Sequence, residues 1–179
     1  MRVIIDILDA VTEYFGRLIS WLTLFMVLVT FGNVVARYVY GISNVAMIET
    51  TVYAFAILLS ASAGWTLLHN EHVRVDIFYG AMRERTRALI DLAGTAFFLF
   101  PVLWIIWDKG LPYVERSWKL RETSNEIAGL DFLYVLKTFI VIFAVVLAVQ
   151  GLSFALRKIY VLVHGHAPQT RFGPSVGDL

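Results

Sequence analysis

Four long stretches of the chain carry no ionisable side chain, and their spacing is that of membrane spans. Residues 18–36, 50–68 and 138–156 are uncharged runs of 19 residues each, bounded by Arg17 and Arg37, Glu49 and His69, and Lys137 and Arg157. A fourth run covers 92–107 and reaches back to Ala88 if Asp91 falls within the first turns of a helix. A charge at the centre of a membrane helix costs roughly 2.5–3.5 kcal/mol, so charges mark where spans end. About 20 apolar residues cross the roughly 30 Å of hydrocarbon as an α-helix. The pattern therefore predicts an all-α membrane protein, a bundle of four transmembrane helices at about 18–36, 50–68, 88–107 and 138–156, forming one domain over residues 1–163. Segments of ten alternating residues, the mark of a membrane barrel, do not occur.

The flanking segments predict interfacial amphipathic helices. Val3, Ile4, Ile7, Leu8, Val11 and Phe15 recur at three- and four-residue spacing, as in a short helix lying on the membrane surface. Asp6, Asp9 and Glu13 in the same segment are wrong for the basic start of a cleaved signal, and no small-residue cleavage site follows Ala36, so the segment is expected to be retained. Ile77, Phe78, Ala81, Met82 and Leu89, interleaved with Arg83, Arg85 and Arg87, predict a second surface helix whose arginines meet anionic lipid phosphates. Glu115 and Lys119, with Val114 and Trp118 on the adjoining face, predict a third within 108–137, with Trp118 among the headgroups. Pro101, in the middle of the third span, predicts a kink. The tail 164–179 holds two of the four prolines and Gly165, Gly173 and Gly177, and reads as disordered.

Composition narrows the function classes. Apolar residues make up 59 % and charged residues 16 % of the 179, against about 45–50 % and about 25 % in soluble domains. The net charge of +1 gives no bulk attraction to nucleic acid, and the absence of cysteine removes disulfides, thiolate nucleophiles and thiolate metal sites. Outside the spans the longest polar segment has 30 residues, fewer than the roughly 40 an unaided core needs, so no separate catalytic domain fits and neither an enzyme nor a cofactor is expected. Lys and Arg number 9 on the side of the termini and 6 on the other, which predicts both termini in the cytoplasm.

Several polar residues at the span ends are candidates for chemistry. Thr30, Asn33 and Arg37 share a face of the first helix, and Glu49 opens the second at the same depth. A pair between Arg37 and Glu49, with Asn33 bonded to either, would neutralise both charges; it is read as a structural pair, with docking or an ion pathway as the functional alternative. Ala56, Ser60 and Gly64 lie at four-residue spacing, letting another backbone approach closely, within the chain or from a partner. His69 and His72 stand three apart and no third ligand follows, so the spacing of a zinc hydrolase is not met. His72, Arg74 and Asp76 alternate with Val73 and Val75, and Asp76 is placed to cap a following helix. Asp91 is four residues from Arg87, the spacing of a helical ion pair. Gln150, the one strongly polar residue of the last span, is suited to an interhelical hydrogen bond. Two other classes are weighed: a haem-binding redox anchor, for which all four histidines lie outside the uncharged runs, and a stand-alone exporter, for which Glu49 and Asp91 both sit at span ends.

These motifs together resemble the small membrane subunit, DctQ type, of tripartite ATP-independent periplasmic (TRAP) transporters. The carrying residues are Asn33-Val-Val-Ala-Arg37-Tyr38, Glu49, Gly64 followed by His72-Val-Arg74-Val-Asp76, Ser124-Asn-Glu126-Ile-Ala-Gly129-Leu130, and Gln150-Gly151, over residues 15 to 158. Asp131 stands where many members have proline, and the connection before it is longer than in short members. The resemblance implies a bacterial inner-membrane protein with two partners besides phospholipid: a large multi-span permease subunit holding substrate and sodium sites, and a periplasmic substrate-binding protein, typically for organic acids. It implies that this chain is a scaffold, with no substrate site of its own.

Overall fold

The structure is a computed structural model that describes residues 2–42, 44–72, 82–168 and 170–172. Four helices are long and apolar enough to cross a membrane: α1 (Arg2–Tyr40), α2 (Val45–Leu68), α3 (Glu84–Leu120) and α4 (Leu133–His164). At 1.5 Å per residue they are about 58, 36, 55 and 48 Å long, so all but α2 extend well beyond the hydrocarbon. The surface helices expected at 3–15 and within 108–137 are not separate elements. Residues 2–17 continue the first span helix and 108–120 the third, the latter through Pro112. The segment 73–81, which includes most of the other expected surface helix, lies outside the described residues.

Local chemistry sets the ends of these elements. Gly41, at φ 68°, turns the chain out of α1, and the Asn44 side chain accepts from the backbone N–H of Met47 to open α2. Pro101 has no N–H to donate to the preceding turn, and its ring crowds the carbonyl four residues back. The helix accommodates it with a π turn, Thr95–Leu99, just before it. Leu99, at the end of that turn, packs on α4 where Gly151 leaves room; a Cβ there would lie 2.7 Å from Leu99 Cδ2.

Packing is centred on the last helix. α4 contacts α1, α2 and both halves of α3, whereas α1 leans mainly on α2. The arrangement is the expected four-helix bundle, drawn out as a shallow row α1–α2–α4–α3 in which α1 also reaches α4. One third of the most apolar stretch of α4 is buried, 33 %, against 0 % for α1, which identifies α4 as the hub. The core is small: Leu103 of α3 against Ala144 and Leu147 of α4, with Ala63 and Leu67 of α2 beside them. Gly64 lets α2 close on α4, since a Cβ would sit 2.7 Å from Val146 Cγ1. The first and last described residues meet at one end of the row, where Arg2 Nε donates to Tyr160 and the backbone N–H of Arg171 to Asp6.

Candidate functional site

Polar side chains collect at the two ends of the helix row, and each collection ties several helices together. At the terminal end, Asp9 of α1 is fully buried. Its Oδ1 accepts from Gln150 Nε2 at 3.2 Å and Ser153 Oγ at 2.6 Å, and its Oδ2 pairs with the Arg157 guanidinium. Arg157 also donates to the Phe172 carbonyl at 2.7 Å, which draws the described part of the tail onto the helices. One turn along α1, Glu13 is buried too. It accepts from Arg17 Nε at 2.7 Å and Trp65 Nε1 at 3.0 Å, and meets His69 Nε2 at 2.8 Å. Gly16 receives the Trp65 ring so closely that a Cβ would lie 2.3 Å from Trp65 Cδ1. A third pair, Asp91 with Lys158 at 2.7 Å, joins α3 to α4.

The physical logic is that of a membrane protein turned outside in. Around α1, Val3, Ile4, Ile7 and Val11 are exposed, while Asp9, Thr12 and Glu13 are buried. The amphipathic periodicity of the sequence is real, but its polar face points inward. Buried carboxylates are tolerated only with cations and hydrogen-bond donors around them, and each of these two has several. The expectation of a helix lying on the membrane surface over residues 3–15 is corrected by Asp9 and Glu13, which are buried against α2 and α4. Their signal was the run Ile5, Asp9, Thr12, Glu13 and Gly16, one helical face made mostly of small and polar residues.

At the opposite end, the loop after α3 folds over α2. Arg121 ends α3 in the left-handed region at φ 49°, and Glu49 accepts from the Leu130 N–H at 2.6 Å and from the Ser124 hydroxyl. The expected Arg37–Glu49 pair is therefore not formed. Backbone and hydroxyl donors reach Glu49 first, and Arg37 is exposed without an ion pair or hydrogen bond among the described residues. Glu122 accepts from the Lys137 ammonium and from Ser117 Oγ at 2.6 Å. Those bonds, from Lys137 foremost, hold its carboxyl below the usual glutamate range against the opposing effect of burial. Trp118 donates to Thr138 Oγ1 at 2.9 Å and meets the Tyr134 ring edge-on, which joins the end of α3 to the start of α4.

The remaining expected residues fall into three groups. Gln150 makes its interhelical bond, and Gly64 makes a close approach within the chain; Ala56 and Ser60 are half-buried, while Ala54, Ala61 and Gly64 are the small residues buried on α2. His72 is exposed, Arg83 and Arg85 are exposed, and Arg87 is half-buried with Nε donating to the Met82 carbonyl. Arg74 and Asp76 lie outside the described residues. Asn33 is half-buried beside Arg37. Among the described residues no group of three or more His, Asp or Glu is disposed to hold a metal ion.

Comparison with known proteins gives a consistent result. The family described as tripartite ATP-independent periplasmic transporters, DctQ component, matches residues 26–161. A relative from Vibrio cholerae serotype O1, the C4-dicarboxylate TRAP transporter small permease protein DctQ, is 31 % identical over 114 residues, covering 62 % of this chain and 48 % of that protein. The match thus spans about half the length of that relative. No solved structure matches the chain.

Proposed function

Since the chain belongs to the DctQ component family of tripartite ATP-independent periplasmic transporters, we propose that it acts as the membrane scaffold of a sodium-coupled, binding-protein-dependent transporter for organic acids. As a member of that family it is a small permease subunit, a multi-pass protein of the inner membrane and not an enzyme. The proposed partners are a large multi-span permease subunit, which holds the substrate and sodium sites, and a soluble periplasmic binding protein. The Vibrio relative is named for C4-dicarboxylates, which are organic acids, and that name supports the substrate class.

One observation carries the scaffold role: the helices are tied to one another at both ends of the row by charged or hydrogen-bonded side chains. An element that moves during transport needs two arrangements of similar free energy. Here the Asp9, Glu13 and Asp91 clusters on one side, and the Glu49 and Glu122 clusters on the other, favour one. The chain is therefore the part that stays still while the large subunit moves against it. The excess of Lys and Arg on the terminal side supports a cytoplasmic Asp9 end. Arg83, Arg85 and Arg87 then face the anionic phospholipid of the inner leaflet, and Trp118 sits near the outer one.

Proteoliposomes test the reading. This subunit alone, the large subunit alone and both together are each given loaded binding protein and a sodium gradient. Uptake is expected only with both. Uptake by this chain alone, or full uptake without it, would refute the scaffold role. Cysteine placed at Glu71 or Glu122 of the cysteine-free chain reads the topology in intact cells: an impermeant reagent is expected to label position 122 and not 71.

A further inference from the structure

Inside the four uncharged stretches, every exposed Ser or Thr among the described residues is on α1: Ser20, Thr23 and Thr30. The other three helices present apolar side chains there, such as Phe55 on α2, Phe97, Phe98 and Trp104 on α3, and Leu152 on α4. Lipid tails match those surfaces and add no polar contact to the exposed hydroxyls of α1. Thr23, Thr30 and Arg37 follow at seven-residue intervals, the repeat that keeps one line of side chains facing a second helix in a left-handed crossing. Thr30 Oγ1 lies 3.4 Å from Thr51 Oγ1, which sets this line along the edge of the α1–α2 seam.

Arg37 supplies the charge argument. A guanidinium has five donors and no acceptor, and a carboxylate or phosphate is the neighbour that matches it best. Glu49, the nearest candidate in sequence, is held by Leu130 and Ser124, and Arg37 is exposed and unpaired among the described residues. A lipid phosphate at the surface could meet Arg37 but not the hydroxyls about 10 and 21 Å deeper along the helix. A second helix meets all three.

We propose that the Thr23–Thr30–Arg37 line of α1 receives a membrane-spanning helix of the large permease subunit, which places an acidic side chain opposite Arg37. The inference rests on the assignment of the chain as a small permease subunit and adds to it the face that docks. In the intact complex, a small diazirine side chain is introduced genetically at position 23, at position 30 or, on the far side of the row, at position 98. Irradiation in native membranes is expected to join positions 23 and 30, and not 98, to the large subunit. Arg37→Glu is expected to lower that yield at least tenfold while the variant stays monodisperse. With the complex intact, adducts at 23 and 30 with lipid only or with a second copy of this chain, or an adduct with the large subunit from 98 only, would overturn the docking face and leave the small-permease assignment standing. If the unmodified chain does not retain the large subunit, that assignment and the inference fall together.

Discussion

Asp9 and Arg157, 148 residues apart in sequence, form an ion pair that fastens the first helix to the last. Asp9 is wholly buried and the Arg157 side chain is only 13 % exposed, so both charges depend on each other rather than on water. Removing one partner of such a pair costs about 3–5 kcal/mol, much of it the desolvation of the charge left behind. Asp9→Ala and Arg157→Ala should each lower the detergent-unfolding midpoint strongly, and the double variant should lose clearly less than their sum. Additive losses in a thermal double-mutant cycle would show that the two charges do not sense each other.

The Glu13 cluster yields a finer test. Trp65→Phe keeps an aromatic ring over Gly16 but removes the indole N–H that Glu13 accepts at 3.0 Å. A hydrogen bond to a charged group contributes about 1.5–3 kcal/mol, so a loss of that size is expected in equilibrium unfolding. An unchanged midpoint would mean that His69 and Arg17 alone satisfy the carboxylate.

Glu122 gives the end of the row away from Asp9 a dependence on acidity. Its carboxyl is held below the usual glutamate range, chiefly by Lys137 and then by Ser117, so its contribution is complete above about pH 4.5 and is lost as pH falls through the lower folded value. Glu122→Gln should therefore be less stable than the parent at pH 7, with the gap closing towards pH 3. Parallel melts at the two pH values check this, and a gap that stays constant would assign the loss to something other than titration.

Glycines separate packing from propensity. Gly64→Ala pushes a Cβ to 2.7 Å from Val146 Cγ1 and 3.0 Å from its carbonyl oxygen, whereas Gly94→Ala meets nothing within 4 Å. Overpacking of this kind costs about 1–3 kcal/mol, so Gly64→Ala should destabilise and Val146→Ala should relieve part of the loss. Gly94→Ala should be neutral or slightly stabilising. Equal effects at the two positions would remove Gly64 from the α2–α4 contact.

The membrane-spanning stretches were legible because one local property, the absence of charge over about 20 residues, defines them. Helix length was less legible: the apolar run marks the part in hydrocarbon, and α1 and α3 continue past it, α3 even through Pro112. The polar face of residues 5–16 was visible as a pattern but misassigned, because an amphipathic helix at a surface and a helix packed against polar partners share the same periodicity. What decides between them is Gln150, Ser153 and Arg157, far along the chain. Glu49 shows the same limit. Arg37 was its obvious charged neighbour, yet a backbone N–H and a hydroxyl from the loop after α3 hold it, and backbone donors carry no sequence signature.

The hub position of α4 also sets a timetable for biosynthesis. Asp9 leaves the ribosome long before Arg157, and at about 5–20 residues per second the 148 intervening residues take roughly 7–30 s to make. Glu13 meets Trp65 and His69 much earlier, so α1 and α2 can close as a hairpin while Asp9 still waits. During that interval Asp9 is a carboxylate without its cation, held in water or by the insertion machinery. A chain stopped at Leu120 should remain in this state and be degraded quickly in a pulse-chase. A chain carrying α4 should become resistant once that helix is made, because Arg157 then reaches Asp9.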